Sequence, residues 1–341
     1  MKVLQVIDRL NVGGAEKVFL TLSSLLKTHG VAVDALLFED GGELMQQLNK
    51  DIRLHILDRR NKYSIMTLKR LNGICRGYDI VHVHMRYCYT YVALAKKMFG
   101  GSYKIVLHDH FGDIEIDRTV PKGLRFFMPD AYIGVSSALR EWAVAHLKMD
   151  AHKAFLLRNT VMPVQYDVKN KTSPDVCMIA NFRKTKNIEF AISVFKQLGW
   201  PLTIYGHKND ETYYSKIVAM AASAPNIKLV TNRNGFGEID KVHNLAIHTA
   251  VSESGPLVLL EYMQVGIPFL AYKTGEVAKE TSTVLTELYM DNFNEEQWGQ
   301  RLSTLWADKG YEQRLKEVFQ NYFGTEKYTA DCLQIYRNIL C

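Results

Sequence analysis

Glu253 and Glu261 bracket the run Ser254-Gly255-Pro256-Leu257-Val258-Leu259-Leu260, which reads as the start of a buried helix. Pro256 suits the first helical position, Gly266 suits the position just past the last, and Pro268 prevents continuation. Glu253 then lies in a strand-to-helix loop, and Glu261 lies about five residues into the helix, ~7–8 Å along its axis. The rest of the helix is apolar (Leu257, Val258, Leu259, Leu260, Met263, Val265), so it is largely buried. A carboxylate in such surroundings needs a partner, either a ligand or a backbone amide of the core.

Histidines form a second constellation. His82 and His84 are two apart, as are His108 and His110, so on strands each pair shares a face. One reading is a metal site, with Asp109 completing a His-x-His ligand set. The other, preferred here, is polar caps at strand ends with their hydrogen bonds satisfied, which leaves no metal site expected and His82 in the core without a function. Gly13-Gly14-Ala15-Glu16 follows the first apolar run and opens a helix. Glycines there let a loop approach a ligand closely, and a helix N-terminus favours phosphate, although a plain turn reads the same way. It does not fit G-x-G-x-x-G, so a dinucleotide fingerprint is unsupported.

These residues must be positioned by something, and the chain alternates. Apolar runs at 3–7, 31–37, 80–83, 104–107 and 131–135 are separated by helical patterns at 15–28, 63–75, 88–98 and 137–147. After residue 170 the alternation restarts, with strands at 176–180, 202–205, 227–230, 246–251 and 269–271. Helices are predicted at 187–198, 212–223, 237–245, 256–265, 294–306, 310–322 and 323–340. Strand-helix alternation means βαβ units and a parallel sheet. The polar, proline-bounded stretch 162–174 reads as a linker, so two doubly wound domains are predicted, with ligand sites beyond the C-terminal strand ends and a cleft between the domains.

At 341 residues the chain exceeds a single core, which agrees with two domains. Hydrophobic residues at 47% and charged residues at 23% exclude a disordered or fibrous chain. No apolar run reaches a membrane span, and Asp8 and Arg9 interrupt the first apolar run too early for a signal peptide. The five cysteines are scattered and never spaced C-x-x-C, which argues against a zinc knuckle or disulfide scaffold and for a reducing compartment, the cytoplasm. The net charge of +6 is uneven: residues 1–165 carry +7 and residues 166–341 carry −1. A basic half suggests an anionic partner. Arg59-Arg60-Asn61-Lys62-Tyr63 and Arg86-Tyr87-Cys88-Tyr89-Thr90-Tyr91 mix basic and aromatic residues, yet no nucleic-acid-binding motif accompanies them. Solvated helix faces are the expectation, and nucleic acid is not an expected partner.

Glu253 and Glu261 also form an E-x7-E motif, and with its surroundings the segment resembles retaining glycosyltransferases of family 4. The resemblance extends to Gly13-Gly14-Ala15-Glu16, Asp79-Ile80-Val81-His82-Val83-His84, Val106-Leu107-His108-Asp109, Lys186, Thr274-Gly275-Glu276 and the terminal helix. It implies a GT-B fold of two doubly wound Rossmann-like domains. Residues 1–163 would bind the acceptor, 164–325 the nucleotide-sugar, and 326–341 would form a helix crossing back to the first domain. It also implies chemistry without metal or cofactor. Glu253 would bind donor-sugar hydroxyls, Lys186 would neutralise the departing diphosphate, and His108 would face the donor sugar. Gly14, Gly255, Pro256, Leu257 and Glu261 would complete the donor site, with Glu261 on the nucleotide ribose. The family commonly carries an arginine where this chain has Asn181. Arg183, in the same loop, is the expected replacement; the alternative leaves Arg183 and Lys184 as solvent charges with Lys186 acting alone.

The function so implied is retaining transfer of a hexosyl group from a nucleotide-diphosphate sugar to a glycan or lipid-linked glycan, as in polysaccharide biosynthesis. A sugar-nucleotide epimerase of the same fold and a non-catalytic sugar-nucleotide-binding scaffold are the alternatives. The segment Val120-Pro121-Lys122-Gly123-Leu124-Arg125-Phe126-Phe127-Met128 adds the expectation of peripheral contact with an anionic membrane at its inner face, against the alternative that Phe126, Phe127 and Met128 belong to the core.

Overall fold

Val3, Leu4, Val6 and Ile7 are all fully buried. A strand covered on both faces belongs inside a parallel sheet flanked by helices. The computed structural model describes residues 1–59, 61, 64–166, 172–233, 243–308 and 310–341. The chain divides into two units, Met1–Thr160 with Thr325–Cys341, and Val161–Gly324.

The first unit contains strands β1 (Lys2–Ile7), β2 (Ala32–Leu37), β3 (Arg53–Ile56), β4 (Ile80–His84), β5 (Lys104–Asp109), β6 (Ala131–Gly134) and β7 (Ala154–Leu156). They form one parallel sheet in the order β3-β2-β1-β4-β5-β6-β7. Its helices are α1 (Gly14–Thr28), α2 (Ile65–Cys75), α3 (Arg86–Phe99), α4 (Lys122–Phe126) and α5 (Ser137–Ala145).

The second unit repeats the plan. Its strands β8 (Val176–Ile179), β9 (Leu202–Gly206), β10 (Ile227–Thr231), β11 (Leu245–His248), β12 (Phe269–Tyr272) and β13 (Tyr289–Met290) pair in parallel in the order β10-β9-β8-β11-β12-β13. Its helices are α6 (Ile188–Leu198), α7 (Glu211–Ala221), α8 (Leu257–Val265), α9 (Gly275–Thr281), α10 (Glu295–Ala307) and α11 (Tyr311–Phe323). Helix α12 (Thr325–Leu340) packs in the first unit, where Tyr328, Cys332, Ile335 and Tyr336 join Val3, Ile7 and Phe19 in one core cluster.

Both units are Rossmann-like α/β layers. In each, strand order reverses beside the first strand, between β1 and β4 and between β8 and β11. A doubly wound sheet opens its ligand crevice at that reversal, beyond the C-terminal strand ends. Two non-glycine residues take positive φ there: Met85 at 74°, directly after β4, and Asn187 at 49°, directly after Lys186. Such conformations cost energy and mark sharp, over-determined turns.

Two expectations need correction. Leu245, the last residue of the helix predicted over 237–245, opens β11, while residues 237–242 lie outside the described residues. The strand predicted over 246–251 ends at His248, where the Thr249 side chain bonds to the carbonyls of Lys186 and Asn187, and the chain bends at Val251. Residues 167–171 of the predicted linker also lie outside the described residues.

Candidate active site

In the second unit, the turn after β8 and the turn after β11 are tied together. The Thr249 hydroxyl faces the carbonyls of Lys186 at 2.9 Å and Asn187 at 3.0 Å, and the Val251 N–H donates to Thr185 O at 2.9 Å. This stapling brings Lys186 and Glu253 into an ion pair, although they lie far apart in sequence. Their side chains are 22% and 13% exposed, so the pair is shielded from water. Burial works against ionisation of Glu253. The charge of Lys186 beside it, its hydrogen bond to Lys186 and the charge of Arg183 bring its pKa below the usual carboxylate value.

The Glu253 turn is held from a second side. Gly275, at the start of α9, has φ +78°, and a Cβ there would come within 3.0 Å of Glu253 O and 3.1 Å of Glu253 Cβ. The next N–H, from Glu276, donates to Ser254 O at 2.7 Å. Gly255 and the buried Pro256 follow, and Leu257 opens α8. Pro256 takes the cap position, one residue earlier than the sequence pattern places it, and Gly266 closes α8 in the left-handed conformation. Glu261 lies midway along α8, partly exposed.

His248 belongs to none of the sequence motifs above. It ends β11, is 1% exposed, and its Nε2 lies 3.6 Å from Glu253 Oε1, beyond hydrogen-bond reach. Neither ring nitrogen has a hydrogen-bond partner among the described residues. Burial, helped by Lys186, pushes its pKa down to about 4. A neutral buried imidazole with both nitrogens unused, beside a paired Lys-Glu couple, is a site feature. Its sole sequence signal is a polar residue inside the apolar strand predicted over 246–251.

Asn181 accepts the His207 N–H on its Oδ1 at 3.2 Å and so ties the ends of β8 and β9 together. Arg183 and Lys184 are exposed at the head of the turn that ends at Lys186. Arg183 is near enough to Glu253 to help lower its pKa.

In the first unit, β4 and β5 bring four histidines together. His82 Nε2 lies 3.0 Å from His108 Nδ1, and His84 Nδ1 lies 2.9 Å from His110 Nε2. The rings of His84 and His110 stack at 5.1 Å. His82 Nδ1 meets the Tyr336 hydroxyl of α12 at 2.8 Å, and His84 Nε2 meets Gln5 Oε1 at 2.8 Å. His82 is fully buried in the core, as expected, and there its Nε2 meets His108 Nδ1. The ligand atoms of His82, His84 and His108 lie within 4.8 Å of one another, the spacing of a metal set. As arranged, the nitrogens of those rings are spent on histidine partners, on Gln5 and on Tyr336, except His108 Nε2, which has no hydrogen-bond partner among the described residues. Asp109, the third member of the ligand set considered above, is engaged elsewhere: Arg86 pairs with it at 2.7 Å and the Tyr132 hydroxyl donates to it at 2.6 Å.

Gly14 is the first residue of α1, and a Cβ there would meet nothing within 4 Å. The run from Arg86 to Tyr91 is no solvated face. Arg86 is 13% exposed and stacks on Phe111 and Trp142, and Cys88, Tyr89 and Tyr91 are buried. In the other basic-aromatic run, Arg59 pairs with Asp8 at 3.1 Å, while Arg60, Lys62 and Tyr63 lie outside the described residues. Around α4, Phe126 and Met128 are 79% and 48% exposed, which removes them from the core; Phe127 is partly buried against it.

Comparison with known proteins agrees with this plan. The model of Glycosyltransferase Family 4 matches residues 12–163, and that of Glycosyl transferases group 1 matches residues 165–321. N-acetyl-alpha-D-glucosaminyl L-malate synthase of Bacillus anthracis is 23% identical over 287 residues, 77% of this chain and 75% of that protein. Among solved structures, Anabaena HepE in complex with UDP and glucose superposes with a TM-score of 0.79 at 14% identity, covering 99% of each chain. TarM of S. aureus superposes with 0.81 at 11% identity, covering 98% of this chain and 100% of that one. The lipopolysaccharide outer core galactosyltransferase WaaB gives 0.73 at 16%, covering 98% and 99%. With one family model on each Rossmann-like unit, the chain belongs to glycosyltransferase family 4, group 1, and has the GT-B fold.

Proposed function

We propose that the protein is a retaining, metal-independent hexosyltransferase. It moves a sugar from a nucleotide-diphosphate donor, bound by residues 164–325, to a hydroxyl of a glycan or lipid-linked glycan bound by residues 1–163. The observation that carries this reading is the shielded Lys186–Glu253 pair at the β8/β11 reversal, next to neutral His248. When the sugar C1–O bond to diphosphate breaks, negative charge grows on the leaving oxygen, and a preorganised cation stabilises it most where water is scarce. Lys186 supplies that cation. Glu253, held ionised, takes hydroxyls of the transferred sugar, whose ring gains oxocarbenium character. The new C1–O bond forms on the same face, and the acceptor proton passes to the departing phosphate oxygen, so no separate base is required.

Glu261 accepts from the ribose, Gly255, Pro256 and Leu257 line the donor, and Arg183 adds the second cation that Asn181 does not provide. Gly14 gives its backbone N–H to the diphosphate; a Cβ there meets nothing within 4 Å, so any need for glycine comes from a ligand. HepE and TarM were solved with UDP, which puts UDP-sugars first among donors to test. A thermal-shift panel of nucleotides and sugar nucleotides tests the reading. A true donor at 100 times its Kd stabilises by about 2.7 kcal/mol. No shift with any nucleotide contradicts it, and so does loss of turnover in EDTA that a divalent ion restores.

A cytoplasmic protein whose acceptor is lipid-linked works at the inner face of the membrane. Exposed Phe126 and Met128, flanked by exposed Lys122 and Arg125 on the +7 half of the chain, support peripheral docking there. No described helix is long and apolar enough to cross a membrane. Co-sedimentation with anionic vesicles, weakened by salt and by Phe126→Ser, is expected; equal binding to neutral vesicles contradicts it.

A further inference from the structure

We infer that Gln5 and Tyr336 set a one-way hydrogen-bond network through four histidines, three of them buried and the fourth, His110, partly so. The network leaves His108 with its proton on Nε2, where His108 offers a substrate oxygen a donor and cannot serve as a base.

A neutral imidazole has one N–H and one bare nitrogen. The rings here are held neutral. Burial pushes the pKa of His82 down to about 3 and that of His110 to about 4, and burial with the neighbouring rings holds His84 and His108 well below the usual value. Each ring-to-ring contact therefore needs one donor and one acceptor, and the proton at either end of a chain of contacts dictates every proton between. Two arrangements keep every link between strong partners, each the reverse of the other; a third, in which Tyr336 accepts from both Gln5 and His82, spends the tyrosine proton on the Cys332 thiol, a weak acceptor. Gln5 decides between them, because its amide touches both branches.

One end of that amide lies 3.2 Å from the Tyr336 hydroxyl and the other 2.8 Å from His84 Nε2. A separation of 3.2 Å suits N–H···O and exceeds the ~2.5–3.0 Å of O–H···O. The amide nitrogen therefore faces Tyr336, and Oε1 faces His84. Oε1 only accepts, so His84 carries its proton on Nε2 and takes one on Nδ1 from His110 Nε2–H. Tyr336, receiving the Gln5 N–H on its oxygen, gives its own proton to His82 Nδ1. His82 Nε2–H then donates to His108 Nδ1 across 3.0 Å. His108 is left with Nε2–H, and that atom is buried with no partner among the described residues. Buried donors are nearly always matched, so an unmatched one marks the place of a ligand oxygen. The reversed network would put Nδ1–H on all four rings and a bare Nε2 on His108.

The proton placement stands on the first unit alone; the role of the donor rests on the glycosyl-transfer reading. In that role His108 touches a sugar or phosphate oxygen, and Tyr336 is a positioning residue acting through His82. The test is ring-nitrogen NMR of the full chain, labelled at histidine, with signals assigned by single His→Gln variants. Protonated Nε2 and bare Nδ1 on His82, His84, His108 and His110 are expected. Protonated Nδ1 on His82 or His108 overturns the inference.

Tyr336→Phe removes the O–H that fixes the direction. Mixed tautomers should then appear on His82 and His108, while His84 and His110 keep Nε2–H. In turnover, that variant should lose about tenfold in kcat with donor KM changed less than about twofold. A Tyr336→Phe spectrum identical to wild type overturns the part given to Tyr336, and if that variant does not fold, the wild-type spectrum still decides the proton on His108. Nε2–H on His108 in a chain that turns over no sugar nucleotide would leave the network standing and remove the transfer reading. Turnover with Nδ1–H would do the reverse.

Discussion

At the scale of single residues, Glu253 and Lys186 neutralise each other in a place where either alone would be costly. Breaking a shielded pair from one side costs about 3–5 kcal/mol, so Lys186→Ala is expected to lower both turnover and the melting point. Glu253→Gln keeps shape and hydrogen bonding, and it should abolish transfer while nucleotide binding survives. Glu261→Gln should weaken nucleotide affinity by ~1.5–3 kcal/mol, the value of a charged hydrogen bond. Calorimetry with the nucleoside diphosphate separates the two, and unfolding of both variants would show the carboxylates to be structural. Arg183 and Lys184 are both exposed at the head of the Lys186 turn, but Arg183 is the one whose charge reaches Glu253. Arg183→Ala is expected to weaken diphosphate binding more than Lys184→Ala does; equal, near-wild-type behaviour of both would leave Lys186 acting alone.

Legibility varied sharply at this scale. Glu253 and Glu261 stood out because charge inside an apolar helix pattern demands a partner. Lys186 carried no signal of its own and was singled out only through the family resemblance. His248 and Tyr336 carry little signal: one falls inside the strand predicted over 246–251, and the other lies on the apolar face of α12, where a tyrosine reads as packing.

Among elements, long buried strands and amphipathic helices were readable to within a few residues, β1, β2, β4 and β5 included. What escaped was short or lay at an edge. β3 carries Arg53 and His55 and is only half-buried, so its alternation is obscured. β7 and β13 are too short for any period, at 3 and 2 residues. α9 is short and begins at a glycine, and no helix is predicted from sequence over 275–281. That glycine is where an element acts on the site. In Gly275→Ala the φ of +78° becomes strained and the new Cβ presses on Glu253. A loss of ~1–3 kcal/mol is expected from the backbone alone, with a larger fall in turnover than in nucleotide affinity. A chemical denaturation curve and initial rates check it; wild-type rates would show that α9 does not position the Glu253 turn.

For the whole molecule, buried neutral histidines give stability a pH dependence with a definite sign. His82, His110 and His248 are lowered to about 3, 4 and 4, and His84 and His108 are lowered as well. In the unfolded chain each returns to ~6.5. Between about pH 6.5 and pH 4 the unfolded state therefore binds more protons, and stability must fall as pH falls, by up to ~1.4 kcal/mol per pH unit for each histidine. His29, raised chiefly by its hydrogen bond to Glu326, works weakly the other way. Urea midpoints should be level near pH 7.5 and drop between pH 6.5 and 5; a midpoint that rises toward pH 5 would contradict the burial of these rings.

Cleavage of a nucleotide-diphosphate sugar at the Lys186–Glu253 site is read out as nucleoside-diphosphate release from a panel of sugar nucleotides. With a glycan or lipid-linked acceptor present, wild type is expected to release diphosphate from at least one donor, and folded Glu253→Gln to release none. Release by Glu253→Gln at the wild-type rate, or none by wild type from any donor, would show that this pair does not carry the transfer.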